Sequence, residues 1–155
     1  MTLLSLIARF SIVFIIAYIL VTILMIFVIA LLQLPPVIES YIPYVLVWVV
    51  SFYVLNQYNE KNREVISKNN RWKIIFLLTI SAIVIGVVFS VPIHSTNLNQ
   101  DLMNLLMGVL IALPSYAVLI WSAEHSARIR LLKNYPELAP TIKSQPEEGT
   151  DKLNS

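Results

Sequence analysis

The sequence predicts an all-α membrane protein with four transmembrane helices, both termini cytoplasmic and a short amphipathic C-terminal extension. Of its 155 residues, 57% are hydrophobic and 13% are charged, whereas soluble domains carry about 25% charged residues. Four apolar runs approach or exceed the roughly 20 residues that cross a bilayer. The basic residues are confined to the two ends of the chain and to one loop in its middle.

The four predicted spans cover residues 10–34, 41–58, 74–93 and 102–121. No charged residue interrupts the first span after Arg9. Its apolar run is longer than that of a signal peptide and no small-residue cleavage site follows it, so we expect a retained helix. Two prolines end this helix, since each removes a backbone donor.

The third span has a predicted helix start, and the fourth span contains an internal proline. Ser67 is a candidate N-cap, which predicts that the third helix begins near Lys68. Pro114 lies inside the fourth span and frees the carbonyl of Leu110, so it predicts a kink. With these spans, residues 1–134 form one membrane domain.

Residues 122–134 predict an interfacial helix that extends the fourth span. At helical spacing Glu124, Arg128 and Lys133 fall on one side and Ile129 and Leu132 on another. Such a helix lies along the inner surface of the membrane. The remaining residues, 135–155, form a polar cytoplasmic tail.

The basic residues predict the orientation. Five of the eleven Lys and Arg residues lie in the loop between spans two and three. This cytoplasmic basic loop contains Lys61, Arg63, Lys68, Arg71 and Lys73. If it is cytoplasmic together with both termini, all eleven are inside, and the two outer loops carry only Glu39 and Asp101. This distribution predicts a multi-pass protein of a bacterial cytoplasmic (inner) membrane, N-in and C-in.

One interpretation of the basic loop is topological: its lysines and arginines hold it on the cytoplasmic side of the membrane. A second interpretation is docking to anionic lipid or to an acidic partner. Nucleic-acid binding is not expected, because Glu60 and Glu64 dilute the positive charge.

Catalytic, cofactor-binding and metal sites are not expected. The predicted spans contain no ionisable residue in their interior, which disfavours ion-coupled transport and proton relays. The chain has no cysteine, which excludes disulfides, thiolate metal sites and thiol redox relays. Glu124 and His125 are adjacent on a helix and point apart, so we expect two interfacial polar residues rather than an acid–base pair. His94 and Asp101 lack a third metal ligand.

Small residues at helical spacing predict a helix-packing or partner face on spans three and four. Such residues let membrane helices approach closely. Two interpretations remain open: the spans pack on each other within one chain, or the face binds a second copy or a partner. The face comprises Ala82, Gly86, Ser90, Asn104, Gly108 and Ala112.

The middle loop resembles that of the ABZJ-type family, a group of small bacterial inner-membrane proteins with four helices and no assigned activity. The family's proline before the capping residue is absent here. The resemblance covers the span pattern and this loop; it implies an inner-membrane location and no functional residue. The matching residues run from Lys61-Asn62-Arg63 through Ser67 to Arg71-Trp72-Lys73.

The sequence therefore predicts a non-enzymatic accessory, assembly or regulatory protein without a cofactor. Its expected partners are the lipid bilayer and either a larger membrane complex or a second copy. The alternative is a homo-oligomeric transporter or pore for an uncharged or lipophilic solute. Around the Pro114 kink, its lining would be Tyr18, Asn104, Ser115 and Tyr116.

Overall fold

The computed structural model describes residues 2–33, 35, 41–62, 66–90 and 98–138, and these are helical apart from short turns and caps. Within these ranges there is no strand, so the prediction of an all-α fold is confirmed. The elements are α1 (Leu3–Leu32), α2 (Ile42–Asn62), α3 (Lys68–Ser90), α4 (Leu98–Asn134) and a 3-10 turn (Pro136–Leu138).

Three of the helices are long and apolar enough to cross a membrane, namely Leu3–Leu32, Asn70–Phe89 and Leu102–Asn134. The chain is therefore a membrane protein by the length and composition of its helices. At 21 residues α2 is long enough to cross, but it is less apolar because its last two turns are rich in amide side chains.

Local side-chain bonds explain where α1 and α3 begin. The backbone N–H of Ser5 donates to Thr2 Oγ1 at 3.3 Å, which caps α1. The backbone N–H of Asn70 donates to Ser67 Oγ at 3.4 Å, and α3 begins at Lys68. The predicted N-cap of the third helix is therefore confirmed.

The helices pack in an unequal way. α2 packs most extensively on α4 and also on α1, while α3 packs on α4 and α1 and contacts α2 only slightly. We call the region where all four helices meet the packed half. Its largest fully buried apolar side chains are Leu6, Phe10 and Phe14 of α1, Val47, Val54 and Leu55 of α2, Leu78 of α3, and Ile120 and Leu131 of α4.

Two segments extend beyond the packed half because α2 and α3 are shorter than their neighbours. Tyr18 contacts Phe89 near the end of α3, with ring centroids 5.1 Å apart. Tyr44 contacts Tyr116 near the start of α2 at 5.5 Å. Most large apolar side chains of α1 after Tyr18 and of α4 before Pro114 are exposed. We call residues 19–32 and 102–113 the unpacked arms; their surface is suited to lipid or to another protein.

Candidate functional site

An ion pair joins α3 to α4 inside the packed half. Arg71 Nη2 lies 2.5 Å from Glu124 Oε2, and the two side chains are 17% and 2% exposed. Arg71 is in the first turn of α3. Glu124 lies in a stripe of α4 that is buried against the other helices, between Ala123 and Ala127.

The sequence-based assignment of Glu124 to an interfacial surface was therefore wrong. The extension is continuous with α4, and its buried face includes Ala123, Glu124 and Ala127, whereas Ile129 is exposed. The alanines are small enough for a neighbouring helix to approach. The carboxylate can be buried because an arginine from another helix compensates its charge.

Trp121 holds the same arginine from a second direction. The guanidinium carbon of Arg71 lies 5.8 Å from the centroid of the Trp121 ring, within the range of a cation–π contact. His125 stacks on Trp121 with ring centroids 6.0 Å apart. Trp121 and Glu124 are three residues apart, so one face of α4 presents both partners to Arg71.

Several polar atoms in and near the ion pair are buried. Arg71 Nη2 and Glu124 Oε2 face each other in the ion pair, and among the described residues Arg71 Nε is buried without a hydrogen-bond partner. The same holds for Ser51 Oγ and Asn59 Oδ1 of α2. Buried polar atoms of this kind are ordinarily satisfied by internal water or by a close polar neighbour.

The chemistry of this site is suited to holding helices together. It contains no nucleophile with an adjacent base. Within the described ranges, no three His, Asp or Glu side chains are grouped as a metal site. His94 lies outside the described residues, as does the side chain of Asp101.

The predicted helix-packing face is divided by the fold. Ala82 is fully buried in the core, and Ala112 is partly buried against it. A Cβ atom added at Gly86 or at Gly108 would meet no atom of another element within 4 Å. The described part of the chain therefore leaves the space beside both glycines open.

The two polar members of this face contribute no described contact across it. Asn104 is exposed in the unpacked arm of α4, and the side chain of Ser90 lies outside the described part of the chain.

Three of the four polar residues proposed to line a solute path are engaged in contacts with other groups of the bundle. Ser115 Oγ donates to the carbonyl of Ile111 in its own helix at 2.9 Å. Tyr116 is buried against Tyr44, and Tyr18 packs between aromatic rings of α1 and α3. An open groove of about 510 Å³ does lie beside Pro114, lined also by Tyr44, Ser115, Val118 and Leu119.

The residues of the basic loop have different environments. Lys61 and Lys73 are exposed, and the charge of Arg71 is compensated by Glu124. Arg63 and the side chain of Lys68 lie outside the described residues. Position along the chain suggested one basic surface, but the fold removes Arg71 from it.

No protein-family model matches the chain, no curated protein matches its sequence, and no solved structure matches its fold. The resemblance of the middle loop to the ABZJ-type family is not tested by these comparisons and stays a prediction.

Proposed function

We propose that the chain is a four-span protein of a bacterial cytoplasmic membrane with both termini inside. Three helices have the length and apolarity of spans. The fourth, α2, packs along α4 and α1. Its 21 residues correspond to about 31 Å, close to the thickness of the hydrocarbon core. In this topology all eleven basic residues lie on the cytoplasmic side, as the positive-inside rule expects, which supports the orientation.

Within that membrane we propose a non-enzymatic accessory, assembly or regulatory role. The observation that carries this proposal is the open space beside Gly86 and Gly108. Gly108 lies in an apolar arm that the other helices of the chain leave uncovered. Membrane helices associate by close packing at small residues, since lipid supplies no hydrophobic driving force between them. A helix of a partner protein would find such a surface on α4.

The test is native purification in a mild detergent or in nanodiscs, followed by native mass spectrometry of the intact assembly. We expect a membrane protein partner in a fixed ratio. Gly108→Leu should remove the partner, whereas Gly108→Ala should keep it. Neither change should lower the thermal stability of the isolated chain, because the added side chain meets open space.

A monomer without a partner in every preparation would contradict the accessory role. Release of the partner by Gly108→Leu together with destabilisation of the chain would contradict the placement of the interface at Gly108.

The second candidate is a homo-oligomeric transporter or pore for an uncharged or lipophilic solute. The groove beside Pro114 favours it, because its lining is mostly apolar and includes the Tyr44 ring. This candidate predicts a homo-oligomer in the native mass spectrum and a changed solute flux in vesicles for Pro114→Ala or Asn104→Ala, with assembly intact. Unchanged flux in both variants would exclude these residues as a pathway.

A further inference from the structure

The first turn of α3 contacts α4 through the side chain of Arg71. α3 packs on α4 and α1 and has little contact with α2, the helix that precedes it in sequence. Arg71 reaches both Trp121 and Glu124 of α4. One turn later on the same face of α3, Ile75 is 2% exposed. The polar contact of Arg71 with α4 thus lies one turn before Ile75, where the buried apolar face of α3 begins.

The burial of Glu124 makes this contact conditional on the two helices being together. Taking a carboxylate out of water is costly unless a counter-charge accompanies it. If α3 moves away from α4, Glu124 loses its closest cation and Arg71 loses the Trp121 ring. Arg128 of α4 also acts on Glu124, so Arg71 is the cation that a different helix supplies to this carboxylate.

From this geometry we infer that the Arg71–Glu124 pair is a tether that keeps the interface between α3 and α4 closed at this end of the bundle. The described contacts of the Arg71 side chain with α4 are the ion pair with Glu124 and the ring contact with Trp121. With so few contacts, removal of one charge releases the first turn of α3. The inference goes beyond the proposed function and does not depend on it.

The experiment uses the absence of native cysteine, which makes any introduced thiol unique. Ile75→Cys places a reporter in the interface, and its reaction with a small maleimide is timed in nanodiscs. Arg71→Glu or Glu124→Arg should accelerate labelling by roughly 100-fold, the factor that corresponds to breaking a buried pair. The double exchange Arg71→Glu/Glu124→Arg should return the rate to within about tenfold of the starting protein.

Two control variants and a second reporter separate local opening from unfolding. Lys73→Glu and Arg130→Glu make the same charge change as Arg71→Glu at exposed positions of α3 and α4 and should leave labelling unchanged. Val47→Cys, on α2, reports a fully buried position of the core and should stay protected when the tether is broken.

Three results would overturn the inference. The first is a slow reaction of Ile75→Cys in both single reversals. The second is equal acceleration at Val47→Cys, which would make the pair a requirement of the whole fold. The third is a double exchange that reacts as fast as the singles.

Discussion

The indole nitrogen of Trp48 on α2 donates a hydrogen bond to Ser122 Oγ on α4 across 3.4 Å. The Trp48 ring also stacks on Phe52 one turn later, with ring centroids 5.6 Å apart and nearly parallel planes. The most extensive helix pair of the bundle is therefore joined by a directional bond as well as by apolar packing. An indole N–H in such an apolar environment needs an acceptor, and Ser122 supplies it.

Trp48→Phe should lower the free energy of unfolding by about 1 kcal/mol, because the ring is largely kept and the hydrogen bond is lost. The measurement is thermal unfolding in a fixed detergent. Trp72→Phe is the matched control, since Trp72 is exposed and makes no described bond. Equal effects of the two substitutions would show that the Trp48–Ser122 bond contributes nothing to stability.

Phe14→Ala should cost about 3 kcal/mol, because it leaves a cavity in the packed half. Phe14 is buried, and its ring lies 5.5 Å from that of Phe10. Phe27→Ala changes the same side chain on the same helix at a position that is 70% exposed. It should change stability by less than about 0.5 kcal/mol. A large effect at Phe27 would mean that this arm of α1 is packed in the isolated chain.

Ser67→Ala should destabilise the protein by about 1 kcal/mol through loss of the N-cap of α3. Ser126→Ala is the control, since Ser126 Oγ bonds only the carbonyl of Ser122 in its own helix. Chemical denaturation of both variants in mixed micelles measures the difference. An unchanged midpoint for Ser67→Ala would indicate that the backbone N–H of Asn70 finds water instead.

Removal of one member of the Arg71–Glu124 pair should lower the free energy of unfolding more than removal of both. Arg71→Met and Glu124→Leu should each cost about 3 kcal/mol, because each leaves one charge without its partner. The double variant Arg71→Met/Glu124→Leu should recover most of that loss, since two apolar side chains need no compensation. Strictly additive costs in the thermal unfolding of the three variants would contradict a direct interaction.

Local sequence features predicted the parts of the fold that depend on neighbouring residues. The apolar runs predicted the helices, and Ser67 predicted the start of α3, because the capping bond reaches only three residues along the chain. The end of α1 was predicted from the prolines; the residue that ends it is Gln33, in the left-handed conformation with φ 51°. A single left-handed residue of this type has only a weak sequence signal.

The candidate site could not be predicted in the same way. Arg71 and Glu124 are 53 positions apart, and helical periodicity says nothing about which helix face meets which. One signal was present: Ala123 and Ala127 flank Glu124, and small residues at this spacing mark a face that another helix can approach closely. The surface assignment rested on the adjacent positions of Glu124 and His125 and did not use that signal.

At Gly86 and Gly108 the sequence predicted a packing face, and the described part of the structure shows open space beside both residues. The small residues around Gly86 and Gly108 predicted close helix packing, either between spans three and four or with a second copy or a partner. Within the described residues their surroundings are open; at Gly108 this is because α4 extends beyond the start of α2. Whether another helix covers Gly108 depends on the relative lengths of the helices, and therefore on where each helix ends.

The central claim is that α2 is a fourth span, and its two ends test this most directly. Tyr41 and Lys61 are both exposed and lie at opposite ends of α2. Single cysteines at these positions, in a chain without native cysteine, are treated with a membrane-impermeant maleimide on intact cells. We predict that Tyr41→Cys is labelled on intact cells and that Lys61→Cys is labelled only after the membrane is opened. Labelling of both positions from the same side would contradict the four-span topology.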